Sequence, residues 1–402
     1  MKRYFLLLVM CYSSYASTLT LDSILNSTEN SALHKAINDN AQARKYGSLS
    51  ESITEPLSLF GSVSNLENRD GKNEDQYSVG LSKKLLLNNI QEDEERISML
   101  ANQAKSLEEQ ILLIQFKNDI KNLYHQYCLD KSSYDNKREA YDDFNDLYKK
   151  KEKAYKIGEI SKFDILQLGL EKETLLSMLT QASLEEKASK KQLLSFSGVS
   201  EKEKEDAVIS CTELVEIKPT IKNDNENFFY TKKAYEFYQE STQKQIHRYS
   251  NNLESFDLSV QYDKERNSDK YTIGVAIPLT FTNKKSEYKK VEAMNRKNAN
   301  TNQFEYIMQQ KNNEVIQITS ELETKANKVN MLRDSLIQYE NDLLPLIQKG
   351  YDYGNNSVVE FLLIKQRFRD LQQKYFYSQK EYYNLLFKLY TVIEKKDNKW
   401  DF

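Results

Sequence analysis

Two periods alternate along this chain. In FDLSVQY (256–262), Phe256, Leu258, Val260 and Tyr262 alternate with Asp257, Ser259 and Gln261. In YTIGVAIPLTF (271–281), Tyr271, Ile273, Val275, Ile277 and Leu279 alternate with Thr272, Gly274, Ala276 and Thr280. LSLFGSVS (57–64) sets Leu57, Leu59 and Val63 against Ser58, Ser62 and Ser64, with Phe60 breaking the polar side; Tyr77, Val79 and Leu81 alternate with Ser78, Gly80 and Ser82. Period two gives strands with one apolar and one polar face, expected over 57–66, 76–87, 256–262 and 271–281. The charged segments 67–76 and 263–270 join the members of each pair and read as solvated.

After each strand pair the period lengthens. Residues 88–155 contain neither Pro nor Gly, and Leu113, Ile120, Tyr127, Tyr134, Tyr141, Tyr148 and Tyr155 recur every seven residues, with Phe116, Leu123 and Phe144 at the complementary position. Residues 284–350 repeat the pattern with Val315, Leu322, Val329, Leu336 and Leu343 at one position and Ile318, Leu332, Tyr339 and Leu346 at the other. A spacing of 3.5 sustained over this length predicts long helices in coiled-coil packing, with the tyrosines forming a seam whose phenol tips stay wet. Shorter helices are expected over 27–54, 161–196, 226–250 and 357–395. At about 1.5 Å per residue, 27–54 and 161–196 together nearly match 88–155, so two short helices stacked end to end can return along one long helix.

The chain repeats itself. Gly80 in 77–87 faces Gly274 in 271–281, and AYKIGEISKFDILQ (154–167) matches GYDYGNNSVVEFLL (350–363) with Gly158 facing Gly354. Both offsets are about 195 residues, as one duplicated unit requires. The expected organisation is a first repeat over 17–198, with a tip turn at 156–160, and a second over 226–395, with a tip turn at 351–356. The charged segment 199–225 links them and a tail follows at 396–402. Gly158 and Gly354 sit where a left-handed residue closes a helix. Ser161 and Ser357 then read as N-caps, with Asp164 and Glu360 three positions on as capping-box acids.

Composition narrows the class. Ten Gly and four Pro in 402 residues exclude a loop-rich all-β protein. Lys+Arg 57 against Asp+Glu 60 lacks the basic surplus of a nucleic-acid binder. A charged fraction of 29% and a mean hydropathy of −0.73 exclude a bundle of membrane helices. No Ser/His/Asp set, phosphate loop or catalytic carboxylate pair stands out, so no enzyme is expected. His34, His125 and His247 match no metal spacing, and neither metal nor cofactor is implied. Lys2 and Arg3, the apolar run Phe5–Met10 and the small-x-small Ser14-Tyr15-Ala16 read as a signal peptide over 1–16. Cys11 falls too early, behind the bulky Met10, for a lipid-modified residue. Cys128 and Cys211 form no disulfide framework and leave a single bridge open.

An exported, mostly helical chain with four amphipathic strands poses a packing problem. Four strands cannot hide their edges in a bilayer or close a barrel with a usable interior. Three copies pooling their strands give about twelve, each close to the length of a tilted membrane strand. Tyr77, Tyr262 and Tyr271 then fall at the loop-side ends of the outward rows, where an aromatic girdle belongs, and Lys83 and Lys84 near the opposite headgroups.

The sequence resembles the TolC family of bacterial outer-membrane efflux proteins. The resemblance covers essentially the whole mature chain. It rests on the LTLD opening (19–22), the duplicated strand–strand–long-helix unit, the strand exit IPLTF (277–281) and the two Y-x-x-G turns followed by S-x-x-acid. It implies a mainly α fold with a small β part, built as a homotrimer. A twelve-stranded transmembrane β-barrel in the outer-membrane lipid would be continued by a twelve-helix periplasmic coiled-coil tunnel. An inner-membrane transporter would feed the tunnel through a periplasmic adaptor protein. The tip turns then form a periplasmic gate: Asp164 matches the first-repeat acid, Tyr351 the gate tyrosine and Glu360 the ring acid of the second repeat. Asn356 stands where relatives carry a gate-tying Arg, and Leu363 where a second ring acid occurs. TNKKSE (282–287) and LNNIQE (87–92) replace the Gly-rich strand-to-helix joint, and the chain is short for the family. The competing reading is a soluble periplasmic coiled-coil scaffold or adaptor, although an adaptor needs a Gly/Val-rich lipoyl-like domain that this composition lacks. Drugs, metal ions, siderophores and protein toxins would all use the same duct, so the cargo stays open.

Overall fold

The structure, a computed structural model, describes residues 18–52, 56–67, 73–87, 90–199, 207–219, 227–250, 254–265, 268–278 and 284–395. The expected signal peptide, the tail 396–402 and the end of the last strand from Leu279 lie outside them. The chain divides into two compact units, each discontinuous in sequence: Ala36–Leu112 with Phe228–Asn312, and the residues up to Lys35 with Leu113–Asn227 and those from Asn313 onward.

The first of these units holds a four-stranded antiparallel sheet. Its strands are β2 (Ser58–Glu67), β3 (Asn73–Leu86), β5 (Ser255–Lys264) and β6 (Asp269–Ala276), in that order across the sheet. The register keeps the central rows uniform. Leu59, Leu81, Val260 and Ile273 align on one face; Ser58, Ser82, Ser259 and Gly274 align on the other. A slip of one residue would invert every row, so the alternation itself sets the pairing. The apolar face is bare: Leu59 is 74% exposed, Val63 71%, Ile273 76% and Tyr271 77%. Tyr262 and Tyr271 form a cross-strand pair on that face, ring centroids 5.2 Å apart, and the Tyr262 hydroxyl donates to Asp269 at 2.8 Å. The two lysines at the other end divide. Lys83 shares the apolar face, in register with Leu258, whereas Lys84 lies on the polar face opposite Asp257. Of the two, only Lys83 therefore lies in the outward row where snorkelling is expected.

Helices of this unit are held by ion pairs as much as by apolar contact. They are α2 (Ala32–Ser52), the start of α3 (Ile90–Lys156), α5 (Phe229–Arg248) and the start of α6 (Lys285–Gln338). Arg44 of α2 grips Glu109 of α3 with both terminal nitrogens at 2.5 Å. The buried Arg248 donates to Glu94 at 2.8 and 3.0 Å and to Glu254 at 3.0 Å. Such forked pairing satisfies a guanidinium on both edges, which a lysine cannot do. Tyr235 of α5 stacks on Phe304 of α6 at 4.0 Å and 8°.

The second unit contains the remainder of α3 and α6, together with β1 (Thr18–Leu19), α1 (Leu21–Ser27), α4 (Lys162–Phe196), β4 (Val208–Ile209), α7 (Leu344–Asp352) and α8 (Val358–Val392). Of the seam residues, Ile120, Tyr127, Val315, Ile318, Leu322 and Val329 are buried, whereas Leu346 is 68% exposed and its neighbour Ile347 is buried instead. The tyrosine stripe grades from the buried Tyr127 through half-buried Tyr134, Tyr141 and Tyr148 to the exposed Tyr155. The helix expected over 284–350 is interrupted. Residues Tyr339–Leu343 form a π turn between α6 and α7, directly before Pro345. Proline has no N–H to offer the carbonyl four residues earlier and crowds it, and a π turn absorbs both defects without ending the helix.

Residues 207–219 cross this unit as a strap. β4 pairs in parallel with β1. A disulfide joins Cys211 to Cys128 of α3, with Cα atoms 5.5 Å apart. Four side chains hold the strap through backbone hydrogen bonds. The Tyr124 hydroxyl donates to Ser210 O at 2.6 Å, Tyr383 donates to Val215 O at 2.7 Å, Tyr382 donates to Lys218 O at 3.1 Å, and the Val215 N–H donates to His125 Nε2 at 3.0 Å. Since Nε2 accepts, the proton sits on Nδ1, which donates to Lys121 O at 2.7 Å. His125 is fully buried between Tyr383 and Phe387, at 4.5 and 4.9 Å. Burial drives its pKa down to about 4, against the Lys121 carbonyl and helped by the Lys121 charge.

The unfolded imidazole binds its proton near pH 6.5 and the folded one only near pH 4. His125 therefore stabilises the fold fully above about pH 6.5 and loses that contribution as pH falls toward 4, up to about 3 kcal/mol in all. Thermal unfolding followed by circular dichroism at pH 7.5, 6, 5 and 4 should show a falling midpoint. His125→Gln should be less stable at pH 7.5 and should show a shallower fall below pH 6.5. An unchanged slope would mean that the imidazole does not carry the effect.

Candidate functional site: the two helix tips

Both tips are built by the same local chemistry. In the first, Gly158 has φ +81° and donates to Tyr155 O at 3.0 Å, while Glu159 N donates to Ala154 O at 2.9 Å. In the second, Gly354 has φ +75° and donates to Tyr351 O at 3.1 Å, while Asn355 N donates to Gly350 O at 2.8 Å. These are two Schellman closures in register with the repeat, each needing a left-handed residue that glycine adopts without strain. The next helices begin at once. Ser161 accepts from Asp164 N at 3.1 Å and its hydroxyl donates to Asp164 Oδ2 at 2.8 Å. Ser357 accepts from Glu360 N at 3.2 Å, and Glu360 Oε2 accepts from Ser357 N at 2.9 Å, completing a reciprocal box. The shorter Asp164 does not reach back to the cap N–H, so the first tip has half of this arrangement.

Tyr351 and Asn356 occupy different layers. Tyr351 is buried, stacked on Phe361 at 4.5 Å and 17°, with the Lys151 ammonium 4.5 Å from its ring centroid. Burial raises its hydroxyl pKa first, and the charges of Asp164 and then Asp352 add to the rise. The structure thus brings Asp164 near enough to act on Tyr351 through space, while the hydrogen bonds of Asp164 go to its own cap. Asn356 N donates to Gly350 O at 3.2 Å, and the Asn356 side chain fills the space over Gly350, where a Cβ would stand 2.4 Å from its Oδ1. Glu360 is exposed, and Leu363 is 45% exposed.

Above the tips, two apolar clusters share Leu147, Val358 and Leu362. One is centred on Phe144, Leu168 and Leu175, the other on Ile347, Tyr351 and Phe361. They join the hairpin α3–α4 to the hairpin α7–α8. A pair missed by sequence reasoning strengthens this joint: Arg369 of α8 donates to Glu171 of α4, with side chains only 15% and 16% exposed. Lys365, one turn away, is half-buried beside the Phe361 ring at 5.7 Å. Burial lowers its pKa, Asp143 opposes that fall and Arg369 adds to it. In the sequence these charges look like any solvated helix face; only their meeting across two hairpins distinguishes them. Among the described residues no cluster of His, Cys, Asp or Glu could hold a metal ion, and no helix is long and apolar enough to cross a membrane.

No family model matches the chain, and no curated protein matches it. Solved structures do. The chain is similar to the outer membrane protein VceC from Vibrio cholerae at 14% identity and a TM-score of 0.74, over 93% of this chain and 95% of that one. It is similar to the Campylobacter jejuni CmeC outer membrane channel at 14% identity and 0.75, over 94% and 87%. It is also similar to the Neisseria gonorrhoeae MtrE outer membrane channel, determined in its open state, at 12% identity and 0.71, over 93% and 88%. The chain therefore has the fold of these outer-membrane channels, along nearly its whole length.

Arg369→Met leaves the Glu171 carboxylate buried without its partner and should cost about 3 kcal/mol. Arg369→Met combined with Glu171→Leu should recover most of that loss, because the unpaired charge is gone. A double-mutant cycle on thermal unfolding measures the coupling, and additive losses would mean that the two side chains do not interact in solution.

Proposed function

We propose that this chain is the outer-membrane exit duct of a tripartite efflux or type I secretion system. Three copies close a twelve-stranded barrel in the outer membrane, and their helices form a twelve-helix tunnel in the periplasm. Substrates arrive from an inner-membrane transporter through a periplasmic adaptor. One observation carries this reading: a sheet with a largely exposed apolar face and, among the described residues, two edge strands, β2 and β6, that pair with nothing further. In water that face would be an aggregation site. In lipid it is satisfied, provided that each edge pairs with the next copy. A soluble scaffold has no use for such a sheet. Resemblance of the sequence to the TolC family and likeness to the channel structures support the same conclusion.

Within this reading the two duplicated repeats supply two hairpins per copy, and their tips gate the periplasmic mouth. Asp164 and Glu360 recur threefold, placing six carboxylates around one opening, an arrangement that attracts cations. Tyr351, held by Phe361 and Lys151, lies within the field of Asp164 and latches one hairpin to the other. With Asn356 in place of an arginine and Leu363 in place of an acid, the lock relies on packing and on the Arg369–Glu171 pair. Adaptor and transporter open it by binding the open tip more tightly than the closed one.

The purified protein should fractionate with the outer membrane and migrate as a heat-modifiable trimer. Negative-stain images should show threefold particles. In planar bilayers it should form channels of low conductance, and Tyr351→Phe combined with Asp164→Ala should raise that conductance several-fold. A water-soluble monomer overturns the duct; an unchanged conductance in the double variant removes the latch alone.

A further inference from the structure

The polar face of the sheet carries one residue that does not fit it. Phe60 is the only aromatic side chain on that face among the described residues. Its row continues through Gly80, Gln261 and Thr272. The rows on either side are Ser58–Ser82–Ser259–Gly274 and Ser62–Ser78–Asp263–Lys270. The ring tip lies against the Gly80 backbone: a Cβ at Gly80 would stand 2.4 Å from Phe60 Cζ, with Cε1 and Cε2 within 2.9 Å. Any larger residue at 80 would push the ring off the wall. Phe60 nevertheless remains 37% exposed, so the sheet covers only part of it.

Charges near this row cancel. Asp263 faces Lys270 across one strand pair, and Lys84 faces Asp257 across another. Between these pairs the wall presents hydroxyls, amides and backbone, with Phe60 as its single apolar surface. A fixed charge of one sign would select ions. This arrangement instead offers π-face and edge contacts in a neutral, hydrated setting, where stacking on an aromatic ring adds attraction beyond plain area burial.

On the duct reading, which places the polar face inside the barrel, we propose that Phe60 is a cargo-contact residue. Its three copies form an aromatic belt in the lumen that transiently holds uncharged, planar aromatic compounds. Gly80 is the positioning residue that lets the ring lie against the wall and leave the passage open.

Single-channel recording with caffeine, a soluble neutral aromatic, tests this. Caffeine added on the loop side should reduce the wild-type current saturably, beyond the viscosity effect of sucrose at equal concentration. Phe60→Leu keeps an apolar cover over Gly80 but removes the π surface; it should raise the half-blocking concentration roughly fivefold. Phe60→Tyr should stay near the wild type. Phe60→Ser should behave like Phe60→Leu where it assembles, and Phe60→Leu decides the matter where it does not. A purely structural ring would change the heat stability of the trimer and leave the caffeine block alone. Equal half-blocking concentrations in wild type and Phe60→Leu, with channels present, overturn this inference and leave the duct intact. Trimers that never conduct overturn both.

Discussion

Unpaired backbone groups at the two edges of one sheet govern the rest of this molecule. β2 and β6 each end the sheet with a row of N–H and C=O groups, and the apolar face between them is bare. In hydrocarbon each unsatisfied group costs several kcal/mol, so a single sheet is untenable there, and in water the bare face is equally untenable. Closure through copies of the same chain, as proposed above, would resolve both demands together. The central outward rows, Leu59–Leu81–Val260–Ile273 and Gly61–Val79–Tyr262–Tyr271, carry no charge, which suits the proposed closure.

Away from the sheet, stability comes from a different balance. The helices are polar for their length, and polar and charged side chains tie their apolar clusters together. Arginine forks and tyrosine hydroxyls supply the remaining order. Arg44, Arg248 and Arg369 each bridge two elements, and Tyr124, Tyr382 and Tyr383 each spend one hydroxyl on the strap. Buried phenols whose tips find carbonyls explain why so many tyrosines are compatible with a tightly packed seam.

Much of this was legible in the residues because it rests on short-range rules. Alternation in 57–64 and 256–262 is a property of pleated strands, the seven-residue spacing of Tyr127 to Tyr155 is a property of helices packed in pairs, and Gly158 and Gly354 announce left-handed closures because they lack a Cβ. Phe60 also stood out, although only Gly80 across the strand explains it. What escaped notice depends on distant partners. Two-residue strands such as β1 and β4 have no period to detect. The strap over 207–219 is ordered by side chains about 85 and 165 positions away, and nothing local distinguishes His125 from a solvated histidine. The π turn at Pro345 was hidden by a heptad pattern that continues through it. At the candidate gate, the caps of Asp164 and Glu360 were readable, whereas the Arg369–Glu171 tie was not.

The bond between Cys128 and Cys211 closes a loop of 83 residues over the strap. A cross-link of this kind is rare among the reducing thiols of the cytosol. On the export route proposed above, fastening of the strap to α3 waits for an oxidising compartment. On that route the cell compartment sets when the 207–219 strap is tied to Cys128 of α3.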